Sequence, residues 1–150
     1  MAGKYISTEL REAIGNIASR RTTSEIIRQS NNIYEILKKD IETSLNSEGL
    51  DLITYTPERK IGKSYSLMKL ASEYNMPIIV HSSAWGQYVE RKAKELFGRT
   101  IAVRSISSNL ANLYGLNCKT VLKEEAVDAH ELREKLKNVE LEHINIVGIN

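Results

Sequence analysis

The chain has 150 residues and a mass of 17.0 kDa, with 41% hydrophobic residues, 27% charged residues and a formal net charge of +2. This is the make-up of a globular domain long enough for a real core; it excludes a disordered chain, and so small a charge gives no argument for nucleic-acid or membrane-surface binding. The single Cys118 cannot close an internal disulfide, and no stretch has the ~20 apolar residues of a membrane span or the form of a signal peptide, so the expected setting is the cytoplasm, away from any membrane.

Residues 1–49 read as helices only and are expected to form an N-terminal helical segment. Leu10, Ala13, Ile14, Ile17 and Ala18 have helical spacing behind Ser7 or Thr8, either of which could cap the first turn. A second helix opens at the capping box Thr22-Thr23-Ser24-Glu25, and its apolar stripe runs through Ile26, Ile33, Tyr34, Leu37, Ile41 and Leu45 before Gly49 stops it. A stripe of this length outreaches the ~5–6-residue strands of a small sheet. The helix from Thr23 to about Asn46 is therefore expected to mediate self-association or to bind a protein partner. The same segment, with Arg20 and Arg21 in the turn and Arg28 and Gln29 early on the second helix, also admits a helix-turn-helix reading with DNA as partner.

After Gly49 the rhythm changes. "LDLITY" (50–55), "PIIVH" (77–81), "TIAVR" (100–104), "KTVL" (119–122) and "HINIVGI" (143–149) are short apolar runs expected to be strands. Between them fall helical patterns carrying Leu67, Leu70, Ala71 and Tyr74, then Trp85, Tyr88, Val89 and Leu96, a shorter one over 107–114 and another over 126–137. This alternation predicts an α/β domain over 50–150 with a doubly wound, mainly parallel five-stranded sheet. Ligands of such sheets bind at the carboxyl ends of the strands.

The stretch "TYTPERKIGKSYSLMKLASEY" (54–74) crosses such an end. Gly62-Lys63-Ser64 completes the second half of the phosphate-binding pattern G-x-x-x-x-G-K-[ST], between a predicted strand and a predicted helix. That setting lets backbone N–H groups and the helix dipole meet phosphate, with Lys63 on the outer phosphates and the Ser64 hydroxyl on Mg²⁺. Arg59 and Lys60 add positive charge to the loop. The first glycine of the pattern is replaced by Pro57, whose fixed φ and missing N–H alter the strand exit. A second strand should then bring acids to the same place, and "KTVLKEEAVDAHEL" offers Glu124 for the metal and Glu125 to activate water. The same two glutamates also suit the acidic first turn of a helix.

With these motifs in hand, "IGKSYSLMKLASEYNMPIIVHSSAWGQYVERKAKELFG", "TVLKEEAVDA" and "INIVGIN" are together similar to small phage-encoded P-loop NTPase-like proteins. The resemblance covers residues 50–150 and departs from the family pattern at Pro57 and Glu124. It implies a P-loop fold that binds ATP or GTP with Mg²⁺, with Gly62, Lys63 and Ser64 as phosphate ligands, and Glu124 and Glu125 as metal or water residues. It further implies a host-cell cytoplasmic setting. The two departures bear on hydrolysis more than on fold, so the expected activity is nucleotide binding with weak or lost NTPase turnover. The alternatives are an interaction protein on a degenerate P-loop fold, such as an inhibitor of a host or defence protein, and a DNA-binding accessory protein. Trp85 is expected to anchor its helix, or else to stack on a base beside the loop; His81 is expected to be a partly buried strand-end histidine, or else a site residue, and Arg99 and Arg104 to be solvated at strand ends, or else one of them a phosphate sensor.

Overall fold

The computed structural model describes residues 23–55, 62–106, 113 and 115–150, with side chains of the first helix described from Asn32 onward. The elements in chain order are α1 (Thr23–Ser44), β1 (Asp51–Thr54), α2 (Lys63–Tyr74), β2 (Ile78–Val80), α3 (Ser83–Phe97), β3 (Val103–Ser105), β4 (Thr120–Lys123), α4 (Ala129–Asn138) and β5 (Asn145–Ile149). The first predicted helix, the loop with Pro57, Arg59 and Lys60, most of the helix expected over 107–114, and the side chains of Arg28 and Gln29 lie outside the described residues.

All five predicted strands form, and they pair in parallel in the order β1-β5-β4-β2-β3. From β1 the chain crosses to β2, moves outward to β3, then reverses to β4 and steps back to β5 beside β1. The reversal puts helices on both faces, because a right-handed crossover changes sides when its direction along the sheet changes. Side-chain alternation divides the core accordingly. Leu122, Val147 and Ile149 pack with α1, α2 and α3 through Leu37, Ile41, Leu67, Leu70, Val89 and Ala93. On the other face, Val121 and Ile146 pack with α4 through Leu132 and Leu136. The observed architecture is thus the expected doubly wound α/β sheet, entirely parallel.

Several boundaries differ from the sequence pattern. The third strand occupies 103–105 and not 100–104, because its ladder to β2 begins only at the Ile78–Val103 pair. The fourth helix starts at Ala129 and not at 126, since the Asp128 carboxylate accepts from the Glu131 N–H at 2.8 Å and sets the cap. Glu124 and Glu125 consequently stand before the helix, in the turn after β4. The acidic-first-turn reading does not apply to them. Helix α1 ends at Ser44, short of Gly49, where the Ser44 hydroxyl meets Ile41 O at 2.7 Å and Thr120 Oγ1 at 2.8 Å.

The stripe of α1, expected at an interface, is core at three of its described positions. Ile33 is 3% exposed and Leu37 and Ile41 are fully buried, all within the chain's own core against α2 and the sheet. Those three side chains have no surface to offer a partner. Of the stripe, Leu45 alone among the described positions is exposed, and a single exposed leucine is ordinary for a protein surface. The carboxyl end of the helix is tied down as well. The buried Asn145 amide donates to Ser44 O and Ser47 O, both at 2.9 Å, while its carbonyl accepts from the Leu50 N–H. At the same, amino-terminal edge of the strands, the buried Arg133 guanidinium reaches Leu50 O, Glu142 O, Ile144 O and the Asp51 carboxylate, joining α4 to the entries of β1 and β5.

Candidate functional site

The carboxyl ends of the strands carry a cleft of about 380 Å³, lined by Gly62, Lys63, Ser64, Tyr65, Leu67, Glu124, Glu125 and Ala126. Two segments more than fifty residues apart in sequence make it: the start of α2, and the turn leaving β4. Gly62 precedes α2 at φ 65° and ψ 22°, a left-handed conformation that a side chain would strain. It also supplies no side chain to cap the helix, and the first turn of α2 has no acidic residue. The positive end of the helix is therefore left without a carboxylate from its own first turn.

Lys63, the first residue of α2, is buried, and its ammonium forms an ion pair with Oε2 of Glu125, whose side chain is half-exposed. Glu124 turns the other way. Its Oε2 accepts from the His81 backbone N–H at 2.9 Å and lies 2.9 Å from His81 Nδ1, so the end of β2 holds the Glu124 carboxylate in place. The structure thus brings four of the expected site residues, Gly62, Lys63, Glu124 and Glu125, to one cleft with Ser64 on its exposed rim. Arg59 and Lys60 lie outside the described residues.

Sequence reasoning left His81 open and gave Lys123 no role; both contact Glu124 of the cleft. Lys123 ends β4 fully buried, and its ammonium donates to Ile149 O at 2.6 Å and to Glu124 O at 3.0 Å. It therefore latches the ends of β4 and β5 together beneath the two glutamates. Gly148, its register partner, leaves the room for its stem. A lysine closing an otherwise apolar strand was the available signal, since such a charge needs fixed partners.

Burial lowers the Lys123 pKa to about 8, against the raising effect of Asp128, Glu124 and Glu125. Between about pH 8 and the ordinary lysine value of about 10.4 the unfolded chain holds a proton that the folded protein has released, so this group makes stability rise with pH across that window. Urea denaturation from pH 7 to 10 should therefore show wild type gaining stability relative to Lys123→Met, a comparison that cancels the other titrating groups. Parallel curves for the two proteins would contradict it.

The other candidates have structural partners. The Trp85 indole stacks on Tyr88 (4.8 Å, 22°) and on His81 (6.4 Å, 28°), with the Arg91 guanidinium over Tyr88. Its ring is committed to that stack, at the start of a helix capped by Ser82. Arg99 donates to Ser72 O at 3.1 Å near the carboxyl end of α2, away from the cleft. Cys118 is half-buried, and burial raises its pKa, keeping the thiol protonated.

The expected Mg²⁺ would find few protein oxygens here. Among the described residues no three His, Cys, Asp or Glu side chains converge on one point. The cleft instead offers the Ser64 hydroxyl and the Glu124 carboxylate, and Mg²⁺ commonly takes one or two protein oxygens and completes its shell with water and phosphate. No helix among the described residues is long and apolar enough to cross a membrane. Comparisons with protein-family models, with curated proteins and with solved structures find no match.

Proposed function

We propose that this chain is a P-loop-like protein that binds ATP or GTP with Mg²⁺ in the cleft between α2 and the β4 turn. One observation carries the reading: Lys63, buried at the first residue of α2, meets an acidic residue from the end of a different strand. Phosphate would sit at the start of α2, with the Lys63 ammonium as its counter-charge and the backbone N–H groups after Gly62 as donors. Ser64 and Glu124 would hold the metal, which supplies charge neutralisation between phosphates.

Turnover should be slow. Pro57 replaces the loop's first glycine and Glu124 stands where Asp is usual, and these two departures bear on hydrolysis more than on binding. The protein is read as a binder first, with hydrolysis weak or lost.

A thermal shift titration with Mg-ATP and Mg-GTP tests this. A nucleotide at 100 times its dissociation constant should add about 2.7 kcal/mol of stability, or about 5–10 °C in a chain of this length. Lys63→Ala should fold normally, because water reaches the Glu125 side chain left behind, and should lose at least about tenfold in affinity. Equal shifts in the two proteins would remove Lys63 from the site. No shift with either nucleotide would overturn the reading.

A further inference from the structure

The cleft already contains a ligand for its own lysine. We propose that Glu125 is an internal competitor for phosphate, which makes the site selective for a metal–polyphosphate complex over the metal-free anion; this rests on the nucleotide reading above. The described lining carries one ammonium, Lys63, against two carboxylates, Glu124 and Glu125. Each carboxylate already has a partner: Lys63 holds Glu125, and the His81 N–H and Nδ1 hold Glu124. An arriving polyphosphate must take Lys63 from Glu125 and then lie beside the carboxylate it has displaced. Both steps oppose binding, the first by losing a charge-assisted contact and the second by placing like charges together.

A divalent cation held by Ser64 and Glu124 would offset the second step, because its charge would attract both the displaced carboxylate and the phosphate. The exposures of the two partners fit an exchange. Lys63 has a side-chain exposure of only 9% and stays at the helix start, whereas Glu125, at 47%, has water into which it can swing. The bridge is then a charge filter. It admits an anion that brings its own cation and resists one that does not.

The distinguishing variant is Glu125→Gln, which keeps size and removes charge, with Glu125→Ala as a second form lacking the side chain. Glu125→Gln leaves an amide oxygen as acceptor for the buried Lys63 ammonium, and urea denaturation of both variants checks that each keeps its fold. Isothermal titration with inorganic pyrophosphate in EDTA, where no hydrolysis complicates the reading, should show both variants binding at least tenfold tighter than wild type. Adding Mg²⁺ should improve wild type by a larger factor than either variant. Unchanged or weaker metal-free binding in both variants would overturn the proposal, as would a wild type that binds pyrophosphate equally well with and without Mg²⁺. If wild type and variants bind neither pyrophosphate nor nucleotide with Mg²⁺ present, the nucleotide reading itself fails and this inference falls with it.

Discussion

Leu37→Glu should unfold the protein. Leu37 has no exposure and sits among Ile33, Ile41, Leu67 and Leu70 where α1 meets α2. Truncating such a leucine costs about 2–5 kcal/mol through lost transfer energy and the cavity left behind. A carboxylate at the same place adds the desolvation of a charge with no partner in an apolar cluster. Together these match or exceed the about 5–15 kcal/mol by which folded domains are stable. The expected result is loss of the cooperative urea transition and of most helical circular dichroism at 25 °C. Leu45→Glu is the control. Its side chain is 40% exposed, and the change should stay within about 0.5 kcal/mol. A Leu37→Glu protein that keeps its fold and changes only its association state would place Leu37 at an interface instead of in the core.

Gly148→Ala should be the most damaging small substitution near the cleft. A methyl group built there would lie 2.2 Å from Cγ of Lys123 and 2.6 Å from the Lys123 backbone carbonyl oxygen. The side chain could shift, but the carbonyl belongs to the β4 strand, which pairs with β5 from Thr120 to Lys123. Relief therefore requires the two strand ends to separate, at a cost of about 3 kcal/mol or more. It would also disturb the Lys123 contacts to Glu124 O and Ile149 O, and through them the placement of both glutamates. The prediction has an internal check. In the double variant Lys123→Ala/Gly148→Ala the close Cγ is gone and the carbonyl remains, so urea denaturation should show little rescue. Full recovery would mean that side-chain crowding alone was responsible.

Much of the architecture was legible in local pattern. "PIIVH" and "HINIVGI" are apolar runs of strand length, and a strand covered by helices on both faces must be apolar on both. The Gly62-Lys63-Ser64 start of α2 was legible for a related reason. A left-handed glycine, a lysine and a hydroxyl are chemical signals that local sequence carries intact. Boundaries were less so, because caps and ladder partners decide them. Asp128 had no visible claim over Ala126 as the place where α4 begins until its carboxylate met the Glu131 N–H.

By itself, the sequence determined the alternation of strand and helix, the parallel character that follows from it, and the two segments that would carry the cleft. Period and residue type are local properties, and they survive without knowledge of the fold. The tertiary structure alone decided which partner each ambiguous residue meets. The α1 stripe was expected at an interface, but an apolar face demands burial without naming what buries it; here α2 and the sheet bury Ile33, Leu37 and Ile41. Lys63 and Glu125 are 62 positions apart, and the sequence sets each at a strand end without pairing the two side chains. Only strand order, which seats β5 between β1 and β4, brings the start of α2 and the turn after β4 to the same edge and makes them one site.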